Sequence, residues 1–350
     1  MSTVWLIWGI ALLVLLGTLI GVEATRRWAL HRLLDIPNAR SSHSNPTPRG
    51  GGMALIVAAL AGWGLFLVLT GARAWDEHLA LLTGAALVAI ISWLDDLKGL
   101  SFRARLGVHL VAAGIVLWVS PPATIVLLPG LGGVHLGVFA WPLAFIWIAG
   151  LTNAFNFMDG IDGIAGGQGA VAGVAWWFLG WIYLSPSIGV LGLYLATASL
   201  AFLLFNWAPA KIFMGDVGSA TLGFLFAAIP FAAQPFPASG ATAWIVAAAV
   251  VWPFVFDAGF TLVRRWRRGE KLSEAHRSHL YQRLVIAGWG HAPTTLLYVA
   301  WAISTSVAGL AIAKGLPRSG AVGLGWAVVS AFLVWSLVVR VEATVRKAKG

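Results

Sequence analysis

Cysteine is absent from the 350-residue chain. That excludes a disulfide framework, a thiolate metal site and a cysteine nucleophile. Charge is scarce as well. Charged residues make up 10% of the chain and apolar residues 59%, against roughly 25% charged in a soluble domain. A water-soluble fold is excluded on that ratio, together with disorder, collagen and coiled coil. Acid is scarcer than base: 13 Asp+Glu stand against 23 Lys+Arg, a net charge of +10. In a soluble protein such an excess would point to nucleic acid. In a chain this apolar it points to basic loops on one side of a membrane, and no nucleic-acid partner is expected.

A transmembrane helix needs about 20 mainly apolar residues. Eleven segments qualify: 4–24, 52–71, 78–94, 106–119, 139–157, 169–184, 186–205, 218–234, 241–260, 292–313 and 320–340. They leave no room for a soluble domain. The chain therefore reads as one all-α, polytopic, integral membrane domain over residues 1–350. The first span has no basic residue before it and no A-x-A site, so it reads as an uncleaved helix. Alternate loops (25–51, 95–105, 206–217, 261–291 and the tail from 340) carry twenty Lys/Arg, and the opposite loops only Arg73, Lys314 and Arg318. That asymmetry predicts an external N-terminus and a cytoplasmic C-terminus. Trp5, Trp75, Trp141, Trp181, Trp207 and Trp266 fall near span ends, as an aromatic belt would have them. Residues 124–139, split by Pro129-Gly130 and Gly132-Gly133, read as a short external β-hairpin or as an irregular loop.

With so few acids, their placement is informative. Five lie in three motifs at basic span ends. Asp95 and Asp96 close the third span in WLDDLKG. Adjacent carboxylates repel, so they share a proton or a cation, and Lys98, Arg103 and Arg105 follow as anion ligands. A solvated helix end is the plain alternative. Asn153, Asn156, Asp159 and Asp162 recur at every third position in NAFNFMDGIDG. On a helix this spacing gathers side chains on one side. Bare amides and carboxylates inside an apolar span are costly unless they bind something. Hard oxygen donors suit Mg²⁺ or Mn²⁺ completed by substrate phosphates. Asp216, between Gly215 and Gly218 in NWAPAKIFMGDVGS, reads as a metal ligand, a helix N-cap, or both, with Lys211 and backbone N–H groups for phosphate.

Two basic loops complete the pattern. In RRWRRGEKLSEAHRSHLYQR the arginines 264–268 read as lipid anchors. His276, Arg277, His279, Tyr281, Gln282 and Arg283 are dense in donors that anchors do not use. H-x-x-H is also a zinc pair, disfavoured because no cysteine or third ligand lies nearby. The other loop, Asp35 to Gly52, is rich in proline and glycine and predicts a fixed non-helical path. Its Arg40 and Arg49 read as contacts to a phosphorylated substrate or to membrane phosphates. Metal ligands, phosphate-binding bases and His/Arg thus share one predicted side, and phosphate chemistry on a lipid accounts for them together.

Five motifs in order, PTPRGGG at 46–52, DDLKG at 95–99, NAFNFMDGIDG at 153–163, NWAPAKIFMGDVGS at 206–219 and HRSHLYQR at 276–283, resemble the polyprenyl-phosphate N-acetylhexosamine-1-phosphate transferases over nearly the whole chain. The resemblance implies that undecaprenyl phosphate attacks the β-phosphate of a UDP-N-acetylhexosamine, releasing UMP. It implies Mg²⁺ (Mn²⁺ as a substitute), with Asp216 as metal ligand and Asn156 close by. It makes Asp95, Asp96, Asp159, Asp162 and His279 catalytic candidates. Arg40, Arg49, Lys98, Arg105, Asn153, Asn206, Lys211, His276, Arg277 and Arg283 become substrate contacts. It implies a multi-pass protein of the bacterial inner membrane with a cytoplasmic active site, and a homodimer. HRSHLYQR lacks the run of adjacent histidines of the peptidoglycan enzyme. It is similar to the branch that initiates O-antigen and other surface polysaccharides, and it leaves the donor sugar open. A secondary transporter or a flippase is the rival class. Transporters place ionisable residues near the bilayer centre, whereas these acids lie at span ends.

Overall fold

The computed structural model describes residues 3–37, 45–72, 75–128, 132–182, 185–233, 243–271, 274 and 276–349. Its helices are α1 (Thr3–Ala29), α2 (Gly52–Thr70), α3 (Trp75–Lys98), α4 (Phe102–Val119), α5 (Ala140–Phe157), α6 (Ile164–Ile182), α7 (Pro186–Asn206), α8 (Asp216–Ala232), α9 (Ala243–Val250), α10 (Trp252–Arg267), α11 (Leu280–Ile286), α12 (His291–Ala313) and α13 (Ser319–Lys349). The chain is an all-α polytopic membrane protein, and ten of the eleven predicted spans each coincide with one helix. Among the described residues, eight helices are long and apolar enough to cross a bilayer, and nine units are if α9 and α10 count as one. The two left over, α6 and α8, are largely buried in protein.

Local signals set the helix ends. Ser101 caps α4 by accepting from the Ala104 N–H. Pro186 opens α7 at a position whose N–H would be unsatisfied anyway. Residues 241–260, expected as one span, are instead α9 and α10 bent by 84°. Pro253 causes the break, since it has no N–H for the helical ladder and its ring clashes with the preceding turn.

Helix contacts rely on small residues. A Cβ on Gly180 would lie 2.3 Å from the Gly189 Cα, and one on Gly173 2.6 Å from the Ala196 N. The α6 and α7 backbones therefore touch, which is how helices associate where lipid removes the hydrophobic drive. α8 packs against α2, α3 and α5 and carries its N-terminal Asp216 into the middle of the acid motifs. Two antiparallel strand pairs complete the fold. β1 (Leu34–Asp35) pairs with β2 (Thr47–Pro48), so the proline-rich loop is non-helical at these two described ends. β3 (Ile125–Leu128) pairs with β4 (Gly132–His135), forming the expected hairpin.

Candidate active site

Main chain joins the first motif to the fourth. Gly50 and Gly51 donate to the Phe213 carbonyl, Gly52 donates to Met214, and Phe213 donates back to Pro48. Arg49 and Phe213 form a parallel bridge. Gly52 then meets Gly218 so closely that a Cβ on it would lie 2.5 Å from the Gly218 Cα. No other residue fits there. Gly215 takes φ 77°, a left-handed turn that glycine adopts without strain, and it aims Asp216 into the site.

Two acids share one arginine, and a third lies beside them. An Arg105 Nη1 donates to Asp95 Oδ2 at 2.5 Å and to Asp216 Oδ2 at 3.1 Å. Asp95 also accepts from the Leu100 N–H at 2.5 Å. Asp96 is buried and accepts from the Asp216 N–H at 3.2 Å. Arg49 donates to the Asp96 carbonyl at 2.7 Å, with its guanidinium 3.8 Å from the carboxylate. Asn156 donates to Asp216 at 3.1 Å and accepts from the Ser219 hydroxyl at 2.9 Å. The second and third motifs thus meet the fourth at Asp216, and the first joins them through Arg49 and the main-chain bonds to Phe213 and Met214.

The helical reading of the third motif holds only for its first half. Asn153 and Asn156 lie on α5, which ends at Phe157. Asp159 and Asp162 lie in the following loop, which Gly163 at φ 78° closes just before α6. Burial, reinforced by the charges of Asp216, Asp162 and Asp96, pushes the Asp159 carboxyl well above the usual carboxylate range. Asp162 accepts from the Ala210 N–H and lies 3.2 Å from His291 Nδ1. Asn153 donates to the Ala149 carbonyl and meets the buried His109.

Several expected substrate contacts are already engaged within the chain. Asn206 is 2% exposed. It accepts from the Gly163 N–H and donates to the Ile212 carbonyl, each at 2.9 Å. It clamps two site loops together and has no side-chain donor or acceptor turned outward. Arg283 forms a bidentate ion pair with Glu342 on α13, at 2.8 and 2.6 Å. Lys98 and Lys211 are exposed, while His276 and Arg277 are half-buried. Burial, with the charges of His279 and Arg265, holds the His276 ring down at about 4. Arg40 lies outside the described residues.

The structure adds one acid that the sequence reading passed over. Asp257, on α10, is fully buried and holds the start of the histidine motif through His279, Leu280 and Tyr281. Tyr281 in turn donates to the Phe157 carbonyl at 3.0 Å, tying the fifth motif to the third. An acid in the middle of WPFVFDAGF was the available signal, since a carboxylate in an apolar span is costly.

An apolar cavity of about 340 Å³ adjoins the acids. Trp28, Leu33, Met53 and Trp93 line it, and Arg49 and Asp96 stand at its polar wall. Among the described residues no three His, Asp or Glu side chains close around a cation. The oxygen set nevertheless suits a hard ion that takes one or two protein ligands and completes its shell with phosphate. A flip of the Asn156 amide would turn its oxygen to the Asp216 side, and the Ser219 hydroxyl can accept as well as donate.

Residues 78–234 match the family model described as glycosyl transferase family 4. The chain is 31% identical to the phospho-N-acetylmuramoyl-pentapeptide-transferase of a Synechococcus strain, over 79% of this chain and 82% of the relative. It is 30% identical to the decaprenyl-phosphate N-acetylglucosaminephosphotransferase of Mycobacterium leprae, over 89% of this chain and 84% of the relative. A protein of Bacillus subtilis named as a probable undecaprenyl-phosphate N-acetylglucosaminyl 1-phosphate transferase is 29% identical over 75% of this chain and 73% of its own length. With all five motifs drawn into one site, and relatives that match most of its length, the chain belongs to the polyprenyl-phosphate N-acetylhexosamine-1-phosphate transferase family.

Proposed function

We propose that the protein transfers N-acetylhexosamine 1-phosphate from a UDP-sugar to undecaprenyl phosphate, starting an O-antigen or related surface polysaccharide. The observation that carries this is the meeting of Asp95, Asp96, Asp216, Arg105 and Arg49 beside an apolar cavity. Acids for a cation, guanidiniums for phosphate and an apolar wall for a lipid are the parts the reaction requires. The basic loops support a site on the cytoplasmic side of a bacterial inner membrane.

An oxygen of the lipid phosphate attacks the β-phosphorus of the UDP-sugar, the bond to the α-phosphate oxygen breaks, and UMP leaves. Such transfers depend on positioning and on charge stabilisation more than on covalent help from the protein. Arg49 binds the acceptor phosphate at the cavity mouth. Asp96 lines that cavity and positions the nucleophile, whereas Asp95 is held by Arg105 and Leu100. Arg105, Lys98 and Lys211 stabilise the pyrophosphate, and His276 and Arg277 contact the nucleotide-sugar. Asp216 and Asn156 would hold Mg²⁺, which when bound neutralises charge on the bridging phosphates. The lipid phosphate is largely a dianion at neutral pH, its second pKa being about 6, so no strong general base is required.

Purified protein incubated with Mg²⁺, undecaprenyl phosphate and a panel of UDP-N-acetylhexosamines is expected to release UMP with at least one donor. No release with any donor would overturn the enzyme reading. Asp216→Asn is expected to lower kcat by about 100-fold or more, and full activity across a Mg²⁺ titration would remove Asp216 from the metal site.

A further inference from the structure

Asp257 has a place in the site that its position inside an apolar helix conceals. Its Oδ1 faces the Leu280 N–H at 2.8 Å, the Thr261 hydroxyl at 3.2 Å and His279 Nδ1 at 3.3 Å. Its Oδ2 faces the Tyr298 hydroxyl at 2.6 Å and the Tyr281 N–H at 3.2 Å. Two backbone N–H groups and two hydroxyls donate to it. A carboxylate accepting that many donors is an acceptor on every side, so the ring nitrogen beside it carries the proton. His279 is 3% exposed, and its ring stacks on Tyr281 with centroids 5.8 Å apart. It also packs against His276, at 4.9 Å.

The consequence reaches the acid cluster. Asp257 fixes Tyr281 at its backbone, and the Tyr281 hydroxyl holds the Phe157 carbonyl. Phe157 ends α5 two residues before Asp159. A Cβ on Gly160 would lie 2.1 Å from that same hydroxyl, so the loop is seated directly on Tyr281. One carboxylate on α10 thereby sets the ring of His279 and the seat of the Asp159 loop.

We propose that Asp257 is a positioning residue of the transferase reaction. It holds His279 with a proton on Nδ1 and fixes the His276–Tyr281 segment against the loop of Asp159, where the nucleotide-sugar is bound. The kinetic part rests on the function proposed above, and the protonation part does not.

The test is Asp257→Asn in full-length protein in nanodiscs, with ¹⁵N-histidine NMR and UMP-release kinetics. Wild-type protein is expected to show a histidine with Nδ1 protonated that disappears in His279→Gln. In Asp257→Asn that signal is expected to shift or split into mixed tautomers. The KM for the UDP-sugar is expected to rise by about 10-fold or more, with the KM for undecaprenyl phosphate within about twofold. In a His279→Gln background the same substitution is expected to cost less than about threefold, because the two side chains act as a unit. Unchanged ring signals with unchanged kinetics would overturn the proposal, and so would fully additive losses. If Asp257→Asn does not yield folded protein, Tyr298→Phe removes the shortest bond to the carboxylate. It is expected to shift the same signal and the same KM to a smaller degree, and wild-type values there would overturn the proposal as well. Absence of UMP release by the wild type would instead count against the function, leaving the ring-nitrogen result to decide the role of Asp257.

Discussion

Arg105→Ala removes the guanidinium nitrogen that Asp95 holds at 2.5 Å and Asp216 at 3.1 Å. One nitrogen shared by both oxygens keeps them within about 5.6 Å of each other, where like charges repel by roughly 3 kcal/mol at an effective dielectric of 20. The carboxylate side chains are 11% and 29% exposed, so water entering the vacated space relieves part of this. About half, some 1–2 kcal/mol, is expected to remain. It appears first as a lower Tm of cation-free protein, by a few degrees. It appears second as tighter divalent-cation binding, because the ion no longer competes with the guanidinium. Since about 1.4 kcal/mol is tenfold in affinity, Mn²⁺ followed by electron paramagnetic resonance is expected to bind about tenfold more tightly. Turnover falls by about 100-fold despite the tighter ion, because a phosphate contact is lost. Equal or weaker Mn²⁺ binding, together with an unchanged Tm, would refute the idea that Arg105 stands where the cation's charge is needed.

Three further outcomes follow from contacts described above. Asn206→Ala strands the Gly163 N–H and the Ile212 carbonyl in the interior, so it is expected to cost about 2–4 kcal/mol of stability, read by thermal unfolding, while the donor KM of whatever protein folds stays near wild type. Gly52→Ala drives a methyl into the Gly218 backbone and is expected to destabilise by at least about 1–3 kcal/mol and to abolish UMP release, with Gly64→Ala, whose Cβ meets nothing within 4 Å, as the silent control. His276 is held at about 4 in the fold against 6.5 ordinarily, so the unfolded chain takes up its proton first. Its stabilising contribution is intact above pH 6.5 and is lost as the pH falls toward 4, and a pH series of melting curves is expected to show a smaller acid loss in His276→Gln.

Much of this was legible in the sequence. Helices fall where apolar runs of about 20 residues lie, because in lipid the backbone has no other way to satisfy itself over that length. The acid motifs were legible because charge is so rare here that each cluster stands out. What was not legible depends on contacts made across the chain. Asn206 looks like a free amide until Gly163 and Ile212 are seen to use both its ends. The three-residue rhythm of Asn153, Asn156, Asp159 and Asp162 mimics a helix, yet α5 ends at Phe157, midway through it. Asp257 was hidden by counting a span as apolar as a whole. Apart from Thr261 on its own helix, its partners lie 22 to 41 residues away. Pro253 did announce the bend, but hydropathy averaged over a window is blind to a missing N–H.

The junction of Pro48–Gly52 with Phe213–Asp216 is built from peptide groups and from the absence of side chains. Truncating side chains one at a time leaves each of its hydrogen bonds standing. A conventional alanine scan would score the acids and arginines and pass over the seam that sets their spacing, except at its glycines. Lesions of another kind would expose it: a proline that deletes one N–H, or a single-residue insertion that slides one strand of the seam past the other. The spacing of the PTPRGGG motif is in that sense a ruler, and changing its length by one residue should do more harm than changing most of its letters.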